Sequence, residues 1–230
     1  MKLAYQGKTK DIYALADGNY LLKFKDDVTG VNGVFDPGAN TVGLSIAGSG
    51  KSNLKMTKYF FEVLKKNQIP THYIDANLEE GTMTVQPAKL FGNGLEVICR
   101  YRAVGSFLRR YGMYTKEGQS LDGLVEFTLK DDKRADPPIT EDALVMLGIL
   151  SSEEYKTLKD LTKSVSNLVK TELKKRGIEL YDIKLEFGRI GPDQKIAEID
   201  EISGGNMRAY QGEKYIEPLT LEKLVVESPL

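Results

Sequence analysis

The sequence has few of the residues that most often build nucleophilic and metal centres. Its 230 residues include one histidine, His72, and one cysteine, Cys99. A zinc site of the Cys/His type, a disulfide framework and a Ser-His-Asp hydrolase are therefore poorly supported. A catalytic site in this chain has to be built from carboxylates, lysines, arginines and backbone groups.

The sequence also lacks a long apolar run and an excess of either charge. No stretch approaches the ~18 uncharged apolar residues of a membrane span, and residues 1–10 lack the apolar segment of a signal peptide. The 32 lysines and arginines balance 33 aspartates and glutamates, so the basic footprint typical of nucleic-acid binders is missing. We expect a reduced, cytoplasmic protein with no membrane or nucleic-acid partner.

Turn-forming residues divide the N-terminal part of the chain into short elements. Asp17-Gly18 separates two alternating runs, residues 11–15 and 20–24, and predicts a β-hairpin. The glycine-rich stretch 30–50 predicts irregular structure, and apolar residues at helical spacing predict a helix over residues 53–66.

A second turn-forming stretch, residues 87–94, is the best candidate for a junction between two lobes. It divides the chain into a strand-rich, nucleotide-binding lobe of residues 1–90 and an α+β lobe of residues 91–230. In the second lobe, Ser151 and Glu154 have the spacing of a helix capping box, and Gly177 is a natural helix end. Further strands are predicted at residues 82–86, 95–101, 125–129, 178–188 and 195–202.

The last two predicted strands form a hairpin that brings carboxylates together. Alternation places Lys184 and Glu186 on a charged face, and the returning strand ends near Asp200. Two carboxylates so close repel each other unless a cation lies between them, and oxygen-only ligands suit Mg²⁺. The alternative is a solvated strand face with ordinary salt bridges.

A second cluster consists of arginines near a Gly-Ser turn. Arg100 and Arg102 share one face of a strand, and Ser106 and Arg109-Arg110 follow the turn. Guanidinium groups, a hydroxyl and backbone N–H groups together suit a phosphate monoester or a carboxylate. Surface ion pairing is the alternative interpretation.

A third cluster, Gly7-Lys8-Thr9-Lys10, is a glycine turn with alternating lysines. Glycine lets the backbone approach an anion, and each lysine offers a point charge to phosphate oxygens. By itself, so short a pattern favours the alternative of an ordinary polar turn.

Residues 45–52 nearly match the phosphate-binding loop of P-loop NTPases. The first position of that motif is Ser45 rather than glycine, and the chain does not alternate strand and helix as a doubly wound parallel sheet requires. We therefore expect that Lys51 does not hold a nucleotide phosphate.

Seven blocks in one order resemble the SAICAR synthetase family, from residue 5 to about residue 208. They are YQGKTKDIY, LLKFKDDVTG, EVICRYRAVGSFLRRYG, VEFTLKDDKRADPPI, ALVMLGIL, LYDIKLEFG and DEISGGNMR. The resemblance implies an ATP- and Mg²⁺-dependent ligase of purine biosynthesis that condenses carboxyaminoimidazole ribonucleotide with L-aspartate and releases ADP and phosphate. A P-loop or kinase-like phosphotransferase and a non-catalytic nucleotide-binding module remain the alternatives.

The resemblance also implies a fold and a set of site residues. The fold would be α+β, with two lobes, mostly antiparallel sheets and ATP between the lobes, and a homodimer would be compatible with it. The implied catalytic residues are Lys184, Glu186 and Asp200, of which Glu186 and Asp200 would hold the metal. The implied ATP-binding residues are Gly7, Lys8, Thr9, Lys10, Lys23, Lys184 and Glu186. The implied substrate-binding residues are Arg100, Ser106, Asp132, Asp136 and Arg208.

One departure from the family pattern lies close to these residues. This chain has Gly204-Gly205 where the family commonly has a proline-aspartate pair. We expect the contacts near Arg208 to differ accordingly.

Overall fold

The computed structural model describes residues 1–31, 33–37 and 41–227. The strands are β1 (Lys2–Gln6), β2 (Lys10–Ala14), β3 (Tyr20–Phe24), β4 (Asp27–Val31), β5 (Val34–Phe35), β6 (Val42–Ser45), β7 (Tyr73–Asn77), β8 (Thr82–Val85), β9 (Ala88–Leu90), β10 (Leu95–Arg102), β11 (Ser120–Leu129), β12 (Glu179–Ile190), β13 (Lys195–Ile199), β14 (Met207–Gln211) and β15 (Lys214–Tyr215). The helices are α1 (Ser49–Lys66), α2 (Gly105–Tyr111), α3 (Glu141–Met146), α4 (Ser152–Lys174) and α5 (Pro218–Glu222), with a 3₁₀ turn at Asp132–Arg134 and a π-helical turn at Lys223–Glu227.

The N-terminal sheet has five strands in the order β1-β2-β3-β8-β7, and its neighbouring strands are antiparallel. The predicted hairpin forms between β2 and β3. Its turn is held by Asp17, whose carboxylate accepts the N–H of Asn19 at 3.0 Å, and Gly18 adopts a φ of 88° that favours glycine. This sheet supplies the glycine-lysine turn that connects β1 to β2.

The glycine-rich stretch is more regular than predicted, because β4, β5 and β6 form a small antiparallel sheet. Glycine allows its strands to approach closely. A Cβ atom on Gly43 would lie 2.5 Å from the carbonyl carbon of Gly30, so a side chain there would not fit.

Helix α1 begins four residues before its predicted start, at Ser49. The carboxylate of Asp26 accepts the N–H groups of Gly48 and Gly50 at 3.0 and 2.9 Å. Because the first N–H groups of a helix have no partner within the helix, this remote carboxylate stabilises the early start.

Strand β12 is the centre of the C-terminal sheet of seven strands, where it pairs with β9, β10, β13 and β14. Its apolar face is buried as predicted, with Ile183, Leu185 and Phe187 in the core. Helix α4 packs against β12 and has the predicted capping box between Ser151 and Glu154. The predicted α+β architecture with mostly antiparallel sheets is therefore confirmed.

Two boundaries in the C-terminal sheet differ from the predictions. Strand β11 begins at Ser120, five residues before its predicted start, and extends the pairing with β10. Strand β13 ends at Ile199 rather than at residue 202, because Asp200 has a φ of 72° that is incompatible with an extended strand.

The division at residue 90 stays a prediction. Strand β9 lies before that boundary, yet it pairs with β12 of the C-terminal sheet. No helix within the described ranges is long and apolar enough to cross a lipid bilayer.

Candidate functional site

The candidate site lies where the β1–β2 turn meets the β12–β13 hairpin. Lys10 extends from β2, and its ammonium donates to Asp200 Oδ1 at 2.9 Å and to Glu201 Oε2 at 2.7 Å. These residues are about 190 positions apart in the sequence, and all three side chains are largely buried. The contact brings predicted ATP-binding and metal-binding residues together.

The predicted hairpin register is confirmed. Glu186 is opposite Ile199 in the β12–β13 pair, so Asp200 is one residue beyond the partner of Glu186. Glu186 is buried, and both of its carboxylate oxygens accept hydrogen bonds from the Lys130 ammonium, at 2.6 and 2.8 Å. The strand face is therefore buried rather than solvated at Glu186, although it carries the salt bridges that the alternative interpretation predicts.

The lysines determine the charge state of the two carboxylates. Burial disfavours ionisation of Asp200, but Lys10 and Lys130 outweigh it and hold the Asp200 pKa below its usual range. Burial and the nearby Asp200 raise the pKa of Glu186, although Lys130 opposes this change. Asp200 is thus an anion at neutral pH.

The donor set of this cluster fits a magnesium ion that is shared with a substrate. Within residues 1–31, 33–37 and 41–227, no group of three or more His, Cys, Asp or Glu side chains is arranged to hold a metal ion. A cation at Glu186 and Asp200 would therefore need further oxygen ligands from water or phosphate. Mg²⁺ prefers such a shell.

A cavity of about 580 Å³ has in its wall Lys184, two residues before Glu186 on β12, and Glu96, which pairs with Glu186 across the sheet. Lys10, Glu186 and Asp200 do not line it. All five predicted substrate-binding residues line it, together with the predicted catalytic lysine: Arg100, Ser106, Asp132, Asp136, Arg208 and Lys184. The fold thus collects a strand, a turn, a loop and a distant C-terminal strand around one space.

Two arginines on the cavity wall share a carboxylate that the sequence interpretation missed. Arg100 and Arg208 each donate to Asp182 Oδ2 at 2.9 Å, and Arg208 also donates to Asp36 at 2.7 Å. Arg100 contacts Glu126 as well, and is only 1% exposed, so surface pairing does not describe it. The strand alternation that places Glu186 on the charged face of β12 places Asp182 on the same face. Asp182 could therefore have been predicted as a site residue.

The remaining wall residues form a network of opposite charges. Lys184 donates to Glu96 at 2.6 Å, and Lys8 of the β1–β2 turn donates to the wall residue Asp132 at 2.5 Å. Burial raises the pKa of the half-buried Asp136, and the nearby Glu96 raises it further. An anionic substrate entering here meets groups that are already oriented by their partners.

The glycine-lysine turn is tightly built. The Gly7 N–H donates to the Lys10 carbonyl at 2.9 Å, and a Cβ atom on Gly7 would lie 2.5 Å from that oxygen. The Thr9 carbonyl accepts the N–H of Lys25 at 2.9 Å. Lys23 is exposed on β3, and within the described ranges it forms no ion pair with the Lys10–Asp200 cluster. Its role in ATP binding stays a prediction.

The geometry at residues 45–52 argues against a phosphate-binding loop. The backbone N–H groups of Gly48 and Gly50, which would face a phosphate in such a loop, donate instead to Asp26. Strand β6 before them belongs to the small antiparallel sheet rather than to a parallel one. The P-loop alternative is therefore not supported.

The one histidine lies beneath the site in a buried position. The His72 N–H donates to the Glu198 carbonyl at 3.1 Å, and His72 Nε2 and both Glu198 carboxylate oxygens are buried with no hydrogen-bond partner. Burial lowers the pKa of His72 to about 4. The negative charge of the nearby Asp200 raises this pKa, but by less than burial lowers it. Burial and neighbouring carboxylates raise the Glu198 pKa well above its usual range.

We expect His72 to make folding stability depend on pH. Its folded-state pKa of about 4 lies below the value of ~6.5 for an unfolded chain, so the unfolded state binds the proton first. Stability from this group is complete above pH ~6.5 and falls by about 3 kcal/mol as the pH drops to ~4. Urea unfolding of the wild type and His72→Gln across this range measures the difference. Parallel curves for the two proteins would contradict the assignment, since Glu198 and the other carboxylates titrate in both.

Comparison with known proteins identifies the family. A sequence profile described as SAICAR synthetase matches residues 3–225. The phosphoribosylaminoimidazole-succinocarboxamide synthase of Clostridium tetani is 73% identical over 99% of this chain and 100% of its own length. That of Finegoldia magna is 36% identical over 91% of this chain and 86% of its own length.

Solved structures agree. A SAICAR synthetase in complex with ADP is 29% identical, with a TM-score of 0.81 over 93% of this chain and 87% of that one. The synthase of Ehrlichia chaffeensis is 26% identical, with a TM-score of 0.83 over 96% of this chain and 90% of that one. The chain therefore belongs to the SAICAR synthetase family, ATP-dependent ligases of purine biosynthesis that condense carboxyaminoimidazole ribonucleotide with L-aspartate.

Proposed function

We propose that the cavity beside the Lys10–Asp200 cluster is where this ligase reaction occurs, with Mg²⁺ held by Glu186 and Asp200. The observation that carries the proposal is the convergence of all predicted substrate-binding residues on one cavity, beside the paired carboxylates. A solved relative is in complex with ADP, which supports nucleotide binding by this chain.

The reaction needs no histidine or cysteine nucleophile. The ribonucleotide carboxylate attacks the γ-phosphorus of ATP, and ADP leaves. The amine of aspartate then attacks the resulting acyl phosphate, and phosphate leaves as the amide forms. The protein mainly positions the reactants and neutralises charge. Mg²⁺ bound to ATP would neutralise phosphate charge.

The residues of this chain divide that work. Lys10 places an ammonium against the nucleotide phosphates, and Gly7 lets the backbone approach them. Arg208 and Ser106 offer guanidinium and hydroxyl donors to the ribonucleotide phosphate, and the buried Arg100, whose guanidinium is held by Glu126, Asp182 and Ser106, adds positive charge behind them.

The attacking amine of aspartate must lose a proton. Asp136 is a suitable acceptor because it lines the cavity and its raised pKa makes it a stronger base than an exposed carboxylate. Asp132 lies on the same wall, where it holds Lys8.

A cytoplasmic location and a homodimer stay predictions. The partners that the family assignment supports are small molecules: ATP, the imidazole ribonucleotide and aspartate.

Product analysis tests the proposed function. We expect multiple turnovers of ADP formation by the purified protein only when Mg²⁺, the ribonucleotide and L-aspartate are all present, with one phosphate released per amide formed. Multiple turnovers of ADP release without aspartate would indicate a phosphotransferase. Nucleotide binding without turnover would indicate a non-catalytic module.

We expect Arg208→Lys to raise the KM for the ribonucleotide at least tenfold, with little change in the KM for ATP. Lysine keeps the charge but loses the fork that now spans Asp182 and Asp36. Losing about 1.4 kcal/mol of binding is a factor of ten. Arg134→Lys is the matched control, because Arg134 is exposed and its ion pair is with Asp131. A change in the ATP constant instead would place Arg208 in a different site.

A further inference from the structure

Lys130 forms an ion pair with Glu186, the proposed metal ligand. It follows β11 directly, and its N–H donates to the Gly94 carbonyl at 3.1 Å. Its ammonium contacts both carboxylate oxygens of Glu186, at 2.6 and 2.8 Å. The Lys130 side chain is 44% exposed, whereas that of Glu186 is 9% exposed. The lysine can therefore leave toward solvent, but the carboxylate cannot.

Lys130 and a divalent cation compete for the same oxygens. A metal ion binds carboxylate oxygens at about 2.0–2.1 Å in the case of Mg²⁺, so it would lie within a few ångströms of the ammonium. Two such cations repel strongly in a partly buried site. Binding of the metal through Glu186 therefore requires the ammonium to move away.

We propose that Lys130 is a resident counter-ion of Glu186, which the metal ion displaces when it binds. This inference rests on the proposed role of Glu186 as a metal ligand. Lys130 keeps the buried carboxylate neutralised in the protein without nucleotide, and the competition weakens binding of the free metal ion. The metal ion then enters mainly together with ATP, whose phosphates supply further ligands and charge.

Displacement also leaves an ammonium group free beside the reaction cavity. Lys130 lies between Thr128 and Asp132 in the sequence, and both line that cavity. The released side chain can then pair with an anionic oxygen of a bound substrate. Lys10 forms a similar ion pair with Asp200. In the proposed function its ammonium already pairs with the phosphates of ATP.

The test measures Mn²⁺ binding to the protein without nucleotide. The electron paramagnetic resonance signal of the free ion gives the unbound concentration. Mn²⁺ accepts the same oxygen ligands as Mg²⁺. We expect Lys130→Met to bind Mn²⁺ at least tenfold more tightly than the wild type, and Lys130→Arg to remain close to the wild type. Lys133→Met is the matched control, since Lys133 is an exposed lysine in the same loop, and we expect it to leave the affinity unchanged.

A further variant separates this inference from the proposed function. If Glu186→Gln binds Mn²⁺ as the wild type does, the metal assignment itself is wrong. If Glu186→Gln loses binding but Lys130→Met gains none, the counter-ion role is wrong and the metal site stands. Should Lys130→Met fold poorly, Lys130→Gln removes the same charge, and its melting temperature should rise more with added Mn²⁺ than that of the wild type. An equal rise in both proteins would overturn the inference.

Discussion

Asp200→Asn is expected to lower kcat by about 10²–10³-fold and to raise the Mg²⁺ concentration needed for half-maximal activity. The substitution removes the charge of one of the two carboxylates that we propose hold Mg²⁺, and losing one preorganised electrostatic contact at a reacting centre typically costs this much. Asparagine tolerates the left-handed φ of 72° at this position, and Lys10 keeps its contact with Glu201. We therefore expect the fold to remain intact.

The measurement is steady-state turnover at several Mg²⁺ concentrations, with circular dichroism to compare the folds. Asp193→Asn is the matched control, because Asp193 is an exposed aspartate in the turn of the same hairpin. Near-normal activity of Asp200→Asn at low Mg²⁺ would show that the metal lies elsewhere.

The β12–β13 hairpin was the part of the site most open to prediction from sequence. Strand alternation has a period of two, and the turn at residues 191–194 fixes the register, so the relation of Glu186 to Asp200 followed from local pattern alone. The capping box of α4 was predictable for the same reason, since it depends on residues three positions apart.

The partners of these carboxylates were not predictable in the same way. Lys130 reaches Glu186 across 56 positions, and Lys10 reaches Glu201 across 191. Such ion pairs depend on how the sheets pack against each other, so they cannot be predicted from local sequence patterns. The early start of α1 has a similar cause, because Asp26 caps the helix from 22 and 24 residues away.

The departure at Gly204-Gly205 has a structural reason. A Cβ atom on Gly204 would lie 2.6 Å from Pro218 Cα, and one on Gly205 would lie 2.7 Å from Glu201 Oε1. The first residue of α5 thus occupies the space that a side chain at 204 would need. The two glycines let α5 pack close to the site and leave the Glu201 carboxylate free to hold Lys10.

Arg100→Met is expected to lower the free energy of unfolding by about 3–5 kcal/mol, the usual cost of breaking a buried ion pair by removing one partner. Arg100 is fully buried, and its guanidinium contacts Glu126, Asp182 and Ser106. Methionine fills much of the space but leaves two carboxylates short of a cation, although Arg110 and Arg208 each retain one of them.

The control for this prediction lies two residues along the same strand. Arg102 pairs with Glu179, but its side chain is 36% exposed, so Arg102→Met should cost at most about 1 kcal/mol. Urea unfolding of both variants gives the comparison, and Arg100→Lys, which keeps a charge without the fork, should fall between Arg100→Met and the wild type. Equal losses in Arg100→Met and Arg102→Met would mean that burial of the Arg100 pair contributes nothing. In that case the predicted cost of removing the cation between Glu126 and Asp182 would be wrong.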